Sequence, residues 1–287
     1  MTPPTREHTS ASLDWMPLTQ LSTVSNEEAQ AFYEDFSLAV GERDWLQPNL
    51  RHEQLKLLIR QLIDGRRGLR IADVGCGAGR MTDYLTRFGS VVGVDFSHAA
   101  VAAASRCAPG PTFLPGGLEA LPAEPYDLIT LFDVLEHIPR EDRPHFIADL
   151  SRRLAPDGLL FCSMPHPAFT RRRRQLQDPA LQIIDEEVEL GDVVNEAASA
   201  GLQLLKFTAY DVFGGSPEYQ ALVFTPTRSP GGAPALTTRQ LRLRRRLFGQ
   251  RNVRRLRRVW LAARAARHGR LQTAYWFLTA QVPHVRS

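Results

Sequence analysis

The chain has 287 residues, 43% of them hydrophobic, and a formal net charge of +4, which fits one sizeable core with appendages and excludes a fibrous or wholly disordered chain. No run of 18 apolar residues argues for a spanning helix, the opening MTPPTREHTSASLDW lacks the apolar core of a secretion signal, and a cytoplasmic home is expected. Three unevenly spaced cysteines, Cys76, Cys107 and Cys162, argue against a disulfide framework or a zinc site, so no metal is expected. The charge is divided: residues 229–287 hold fourteen arginines and no acid, so that the first 228 carry −10 against a tail of +14.

Residues 1–22 are polar and irregular, and a body expected over 23–228 follows. A helical pattern opens at Asn26, and Leu55, Leu58, Ile59 and Leu62 form an apolar stripe before Gly65. Residues 69–74, with Ile71 and Val74, read as a buried strand running into Gly75, Gly77 and Gly79. A helical pattern over Met81, Tyr84, Leu85 and Phe88 comes next, closed by Gly89. Such a turn lets a ligand approach the backbone where no Cβ intervenes, and the helix start offers unpaired N–H groups. Asp73, at the strand end, would repel a pyrophosphate and attract an ammonium or sulfonium. A second buried strand, 91–95, ends in Asp95, and an alanine-rich helix over 98–106 follows.

A fourth strand starting at Tyr126 leads into Phe132-Asp133-Val134-Leu135-Glu136-His137. An amphipathic helix over 142–154 precedes a turn at 155–158 and a fifth strand that ends at Pro165-His166-Pro167. An insertion over 165–190 contains Arg171–Arg174; a helix at 191–200 and strands at 202–208 and 219–225 complete the body. A Pro/Gly linker, 229–234, leads to basic helices expected at about 238–248, 251–268 and 270–281.

The run Asp73-Val74-Gly75-Cys76-Gly77-Ala78-Gly79 resembles the first motif of class I S-adenosylmethionine-dependent methyltransferases; Arg80 stands where G-x-G-x-x-G would need its last glycine. The resemblance implies a Rossmann-like, doubly wound α/β fold: a seven-stranded mixed sheet with helices on both faces, carrying the arginine-rich tail. It also implies that Asp73, Gly75, Gly77 and Gly79 hold the methionine part of S-adenosylmethionine, with S-adenosylhomocysteine as product. Asp95, twenty residues after Gly75, would accept both ribose hydroxyl hydrogens, with Phe96 against the adenine. The stretch Gly116-Gly117-Leu118-Glu119 resembles the family's G-D-A-E-x-L-P loop. Gly117 stands where the family has an aspartate, which leaves the backbone at Leu118 and the acid Glu119 as cofactor contacts. The segment from Tyr126 to Pro139 resembles a subgroup that includes ubiquinone-biosynthesis methyltransferases, and it directs Phe132 and His137 toward the cofactor.

For the acceptor, the resemblance implies Tyr33 and Arg51 from the N-terminal helices, His166 after the fifth strand, Gln182 in the insertion, and Tyr219. His166, His137 or Asp185 is the expected base where a proton must leave. Tyr33, with Phe32 and Phe36, equally fits simple core packing, and both histidines equally fit structural roles. The expected reaction is methyl transfer to an oxygen or nitrogen of a small molecule: a secondary metabolite, a sugar or a lipid-like compound. A nucleic-acid methyltransferase using the basic tail is the less favoured rival, because the body is acidic; a cofactor-binding partner protein without turnover is another. The 238–281 tail pairs arginines with Trp260, Tyr275 and Trp276, which suits docking on its own acidic body or contact with an anionic surface or membrane.

Overall fold

A computed structural model describes residues 24–46, 49–178, 181–214 and 217–227. The chain divides into two units, Met1–Pro230 and Gly231–Ser287, and every described residue belongs to the first. The expected N-terminal segment 1–22, the linker, the tail helices and their proposed contacts lie outside the described residues.

Seven strands, β1 (Leu69–Val74), β2 (Gly89–Asp95), β3 (Thr112–Pro115), β4 (Tyr126–Phe132), β5 (Leu154–Pro165), β6 (Leu202–Tyr210) and β7 (Tyr219–Pro226), form one sheet in the order β3-β2-β1-β4-β5-β7-β6. The first five run parallel, and β7 enters antiparallel between β5 and β6. This is the mixed sheet expected from the sequence. Because side chains alternate along a strand, each central strand feeds two cores. Leu69, Ile71, Leu128, Leu159 and Phe161 meet Leu55, Ile59 and Leu62 of helix α2 (Leu50–Ile63) and Met81 and Leu85 of α3 (Arg80–Leu85). Ala72, Ile129, Leu131, Leu160 and Cys162 meet Ile147 and Leu150 of α5 (Arg143–Arg153) and Val193 and Ala197 of α7 (Leu190–Ser199). Each fully buried leucine or isoleucine in these layers contributes about 2 kcal/mol. Helices α1 (Asn26–Leu46), α4 (His98–Cys107) and α6 (Pro167–Gln175) complete the unit.

Two local expectations change. Helix α3 ends at Leu85, and Gly89 opens β2 instead of capping a helix. Gly89 pairs with Leu69, and a Cβ there would overlap the Leu69 backbone. The expected turn at 155–158 is absorbed into β5, with a register shift opposite Tyr126–Leu128. Among the described residues no helix is long and apolar enough to cross a membrane.

Candidate active site

The glycine turn lies at the carboxyl end of β1, where ligands bind in open parallel sheets. All three of its glycines have positive φ, but they face different surroundings. A Cβ on Gly75 would stand 2.5 Å from Val134 Cγ2, and one on Gly79 would crowd Phe113 and Ala104; one on Gly77 meets nothing within 4 Å. Gly75 and Gly79 therefore serve close packing, while Gly77, at φ +51, borders open space. Asp95 holds this turn from β2: Oδ2 accepts the Gly77 N–H at 2.9 Å and Oδ1 accepts the Ser97 N–H at 2.9 Å. Burial pushes the Asp95 carboxyl up, against the pull of those two bonds. Each oxygen keeps a second acceptor site.

Asp73, expected near an ammonium, lies inside the protein. It is 1% exposed, and its two oxygens accept the hydroxyls of Thr82 (2.6 Å) and Thr130 (2.7 Å), tying β1 to α3 and β4. Burial pushes its carboxyl up to about 6. With both oxygens accepting hydroxyls inside the protein, the side chain ties the fold together at this strand end.

Other expected cofactor residues divide similarly. Phe96 is 39% exposed beside the turn, its ring edge-on to Tyr33 at 5.3 Å. Leu118 sits buried in the core at the start of a single 3-10 turn, and Glu119 accepts the Gly117 N–H at 2.6 Å, closing its own loop. Phe132 turns its ring onto Phe161, 5.7 Å away, and packs with the α2-side core.

Helix α1 is held across this end of the sheet. Glu34 accepts from the N–H groups of His98 and Ala99 and the hydroxyl of Ser97 at 2.7–2.9 Å, placing an anion at the N-terminus of α4. Trp45 Nε1 donates to Ala78 O in the glycine turn at 2.7 Å. Glu34 and Trp45 carry no motif; only the fold brings them here.

A second group gathers at the end of β4. Asp133 follows the strand with φ +57, its N–H donating to Ser163 O at 2.7 Å and its carboxylate paired with Arg51. Arg51 also lies over the Tyr219 ring at 5.7 Å, and Tyr219 stacks on Tyr210, whose hydroxyl bonds Ser163 Oγ at 2.7 Å. The segment 181–188 closes over the loop. Ile184 O meets His137 Nδ1 at 2.6 Å, Glu186 N donates to Glu136 O at 2.7 Å, and Gln220 Nε2 donates to Val188 O at 2.7 Å. Since a carbonyl only accepts, the network assigns the proton of neutral His137 to Nδ1 and leaves the lone pair on Nε2. That Nε2 lies 4.0 Å from Glu136 Oε1, and Asp185 Oδ1 lies 3.5 Å from Nδ1. Burial lowers the His137 pKa despite Asp185, and burial together with Asp185 pushes Glu136 up to about 8.

Several polar atoms here have no partner: Tyr33 Oη, Asp133 Oδ1, Glu136 Oε2 and Gln182 Oε1. The Tyr33 ring lies 5.6 Å from His137, and burial raises its hydroxyl pKa, with further push from Asp185, Glu136 and Asp95. Gln182 N donates to Asp185 Oδ2 at 2.5 Å. The structure thus brings together Tyr33, Arg51, His137, Gln182 and Asp185, and adds Asp133 and Glu136, which sequence reasoning had not singled out. Their signal was an acid just past a strand end, a weak one alone. Among the described residues no group of three is placed to hold a metal ion.

His166 stands apart from that group. Its Nδ1 accepts the Ala168 N–H at 3.3 Å, capping α6, and its own N–H donates to Glu218 O. The lone pair a base would use at Nδ1 thus serves the helix. Of the arginine run, Arg171 and Arg174 pair with Glu187, and Arg173 with Asp178. The two pairs with Glu187 fasten α6 to the closing segment.

Residues 43–204 match the family model described as a methyltransferase domain. The chain belongs to this methyltransferase family. It is 30% identical over 147 residues to a trans-aconitate 2-methyltransferase of Yersinia pestis, covering 49% of this chain and 53% of that protein. It is 34% identical over 105 residues to a ubiquinone biosynthesis O-methyltransferase of Maricaulis maris, covering 33% and 40%. The chain thus spans about half the length, or less, of these curated relatives. Among solved structures, the magnesium protoporphyrin IX methyltransferase of Synechocystis PCC 6803 with bound S-adenosylmethionine aligns at TM-score 0.55 and 20% identity, over 71% of this chain and all of that one. A TehB-like methyltransferase of Corynebacterium glutamicum aligns at 0.51 and 23%, over 69% and 99%. These likenesses show the methyltransferase fold.

Proposed function

We propose that the chain is a methyltransferase that uses S-adenosylmethionine to methylate a small-molecule acceptor. The observation that carries this reading is the pairing of two neighbouring strand ends. Beside β1, the Gly77 backbone borders open space and Asp95 keeps acceptor capacity. Beside β4, buried polar atoms stand without partners. The relatives named for trans-aconitate and ubiquinone biosynthesis support a small acceptor.

The residues fit the cofactor: the glycine turn would hold its methionine part, Asp95 its ribose hydroxyls and Phe96 its base. When bound, S-adenosylmethionine supplies an electrophilic methyl group on sulfur. The chain's own contribution is alignment and exclusion of water. Helix α1 and segment 181–188 cover the site, and Arg51 and Tyr33 orient the acceptor. Where the acceptor must lose a proton, His137 Nε2 takes it, while Nδ1–H stays on Ile184 O and the nearby charge of Asp185 stabilises the imidazolium. His166 serves as a helix cap near the site and Tyr219 as the platform under Arg51. The domain arrangement we propose is a methyltransferase body over 23–228 followed by an arginine-rich extension, 229–287.

Calorimetry with S-adenosylhomocysteine tests the cofactor, with micromolar binding as the expected result. Transfer of labelled methyl to a pool of small metabolites tests the reaction. A chain that binds neither S-adenosylmethionine nor S-adenosylhomocysteine would refute the reading.

A further inference from the structure

Of the 35 basic side chains in the sequence, two are lysines, Lys56 and Lys206, and the rest are arginines. A guanidinium stays charged at any ordinary pH, whereas an amine gives up its proton more readily once it is desolvated. The two amines sit in different surroundings. Lys56, on α2, has Glu53 at 2.8 Å and lies over the Tyr84 ring at 5.5 Å. Lys206, on β6 opposite Val223 of β7, has neither an ion pair nor a hydrogen bond among the described residues. Burial lowers its pKa, and no charged neighbour adds to the shift.

The cause is a shallow groove on the α2 face of the sheet. Leu58 and Leu62 of α2, Phe161 of β5, and Ala221 and Val223 of β7 line it, with Lys206 and Thr208 two residues apart on the same face of β6. Among the described residues that line the groove, Lys206 alone carries a titratable group. Since β6 is the last strand in the sheet order, no described strand closes the groove beyond it. An ammonium is poorly placed here, because apolar walls displace part of its water and no carboxylate replaces it. A free amine at the rim of an apolar groove is a nucleophile with room beside it for the hydrocarbon of its electrophile.

We infer that Lys206 is a modification site, acylated at Nζ by short-chain acyl thioesters whose hydrocarbon lies along Leu58, Phe161 and Val223. The Nζ lone pair attacks the carbonyl carbon, and the C–N bond forms as the C–S bond breaks. The thiolate leaves and takes up the proton that the nitrogen sheds, giving an amide and a free thiol. The product removes a desolvated charge and covers apolar surface, both favourable changes. The inference does not rest on the methyltransferase reading: the groove lies on β5, β7 and β6, whereas the glycine turn follows β1 and Asp95 ends β2.

The test treats the folded full chain with S-butyryl-N-acetylcysteamine and, separately, with the succinyl thioester of the same thiol. Peptide mass spectrometry follows both lysines, with Lys56 as the internal reference. At about pH 7.5, butyryl transfer should be at least about tenfold faster at Lys206, because each unit by which burial lowers an amine's pKa gives about tenfold more free base. In guanidinium chloride, where the groove is lost, the advantage should vanish. With the succinyl reagent, whose terminal carboxylate the apolar walls disfavour, the ratio of Lys206 to Lys56 labelling should fall several-fold. Equal rates in the folded chain, a faster Lys56, an advantage that survives unfolding, or the same ratio with both reagents would each overturn the inference.

Discussion

At the ends of β1 and β2, each carboxylate oxygen of Asp73 and Asp95 has a donor: Thr130, Thr82, Ser97 and Gly77. At the end of β4, two strands away from Asp95, Asp133, Glu136, Gln182 and Tyr33 each leave a buried polar atom unmatched. The first region is assembled by the protein alone, so its geometry exists before any ligand arrives. The second holds buried polar atoms without a hydrogen-bond partner among the described residues, at about 1–3 kcal/mol for each one left unmatched. A rigid cradle beside an unsatisfied pocket suits a fold that keeps one cofactor while the acceptor varies.

The comparison breaks most sharply at the glycine turn. Gly77→Val places a β-branched side chain at φ +51 and fills the open space beside the turn. Strain of about 1–3 kcal/mol plus direct overlap should lower cofactor affinity by about 100-fold or more, while circular dichroism shows the fold retained. Normal binding by the folded variant would make the turn purely structural.

Next is the pH dependence of stability. Glu136 is raised from 4.5 to about 8 in the folded chain. Its contribution is therefore fully present below about pH 4.5 and is lost as pH rises through 8. Across that window it lowers stability by up to roughly 1.4 kcal/mol per pH unit. Denaturant titrations at pH 5, 6.5 and 8 should show a flatter slope for Glu136→Gln than for the parent chain. Identical slopes would mean that the acid is ionised in place and that the pocket is less closed than its burial implies.

The two aspartates of the satisfied region sharpen the comparison within it. Asp95→Ala should weaken cofactor binding by about 1–3 kcal/mol, the usual worth of bonds to a charged acceptor. Asp73→Asn should cost about 1–2 kcal/mol of folding stability, since one hydroxyl loses its acceptor, with a smaller change in affinity. Calorimetry and chemical denaturation of both variants give the contrast, and an equal loss of affinity in the two would place Asp73 at the ligand. The smallest effect is expected from Tyr33→Phe, which removes an unmatched hydroxyl and should shift stability by no more than about 0.5 kcal/mol. A loss above twice that would show that the hydroxyl has a partner inside the chain.

Much of the fold was legible in the chain itself, because periodicity and turn chemistry are local. The strand–glycine–helix run at 69–85, the strand ending in Asp95 and the antiparallel last pair all appear where their patterns place them. Where a pattern could be continued by backbone pairing, the sequence misled: Gly89 looked like a helix stop and is a strand residue pressed against Leu69. The direction of side chains was not local. Asp73 and Asp95 both end strands, yet the hydroxyls of Thr82 and Thr130 claim the first, while the backbone N–H groups of Gly77 and Ser97 bind the second. His137 and His166 were equal candidates in one dimension. Tertiary structure set them apart, because Ile184, 47 residues on, fixes the tautomer of one, whereas the amide of Ala168 takes the lone pair of the other. The sequence by itself determined the sheet and the cradle, whose information lies in short runs of neighbouring residues. Only the tertiary structure decided the polar cluster past β4, since Tyr33, Arg51, Asp133, Glu136 and Gln182 meet through strand order and a closing segment that no spacing encodes.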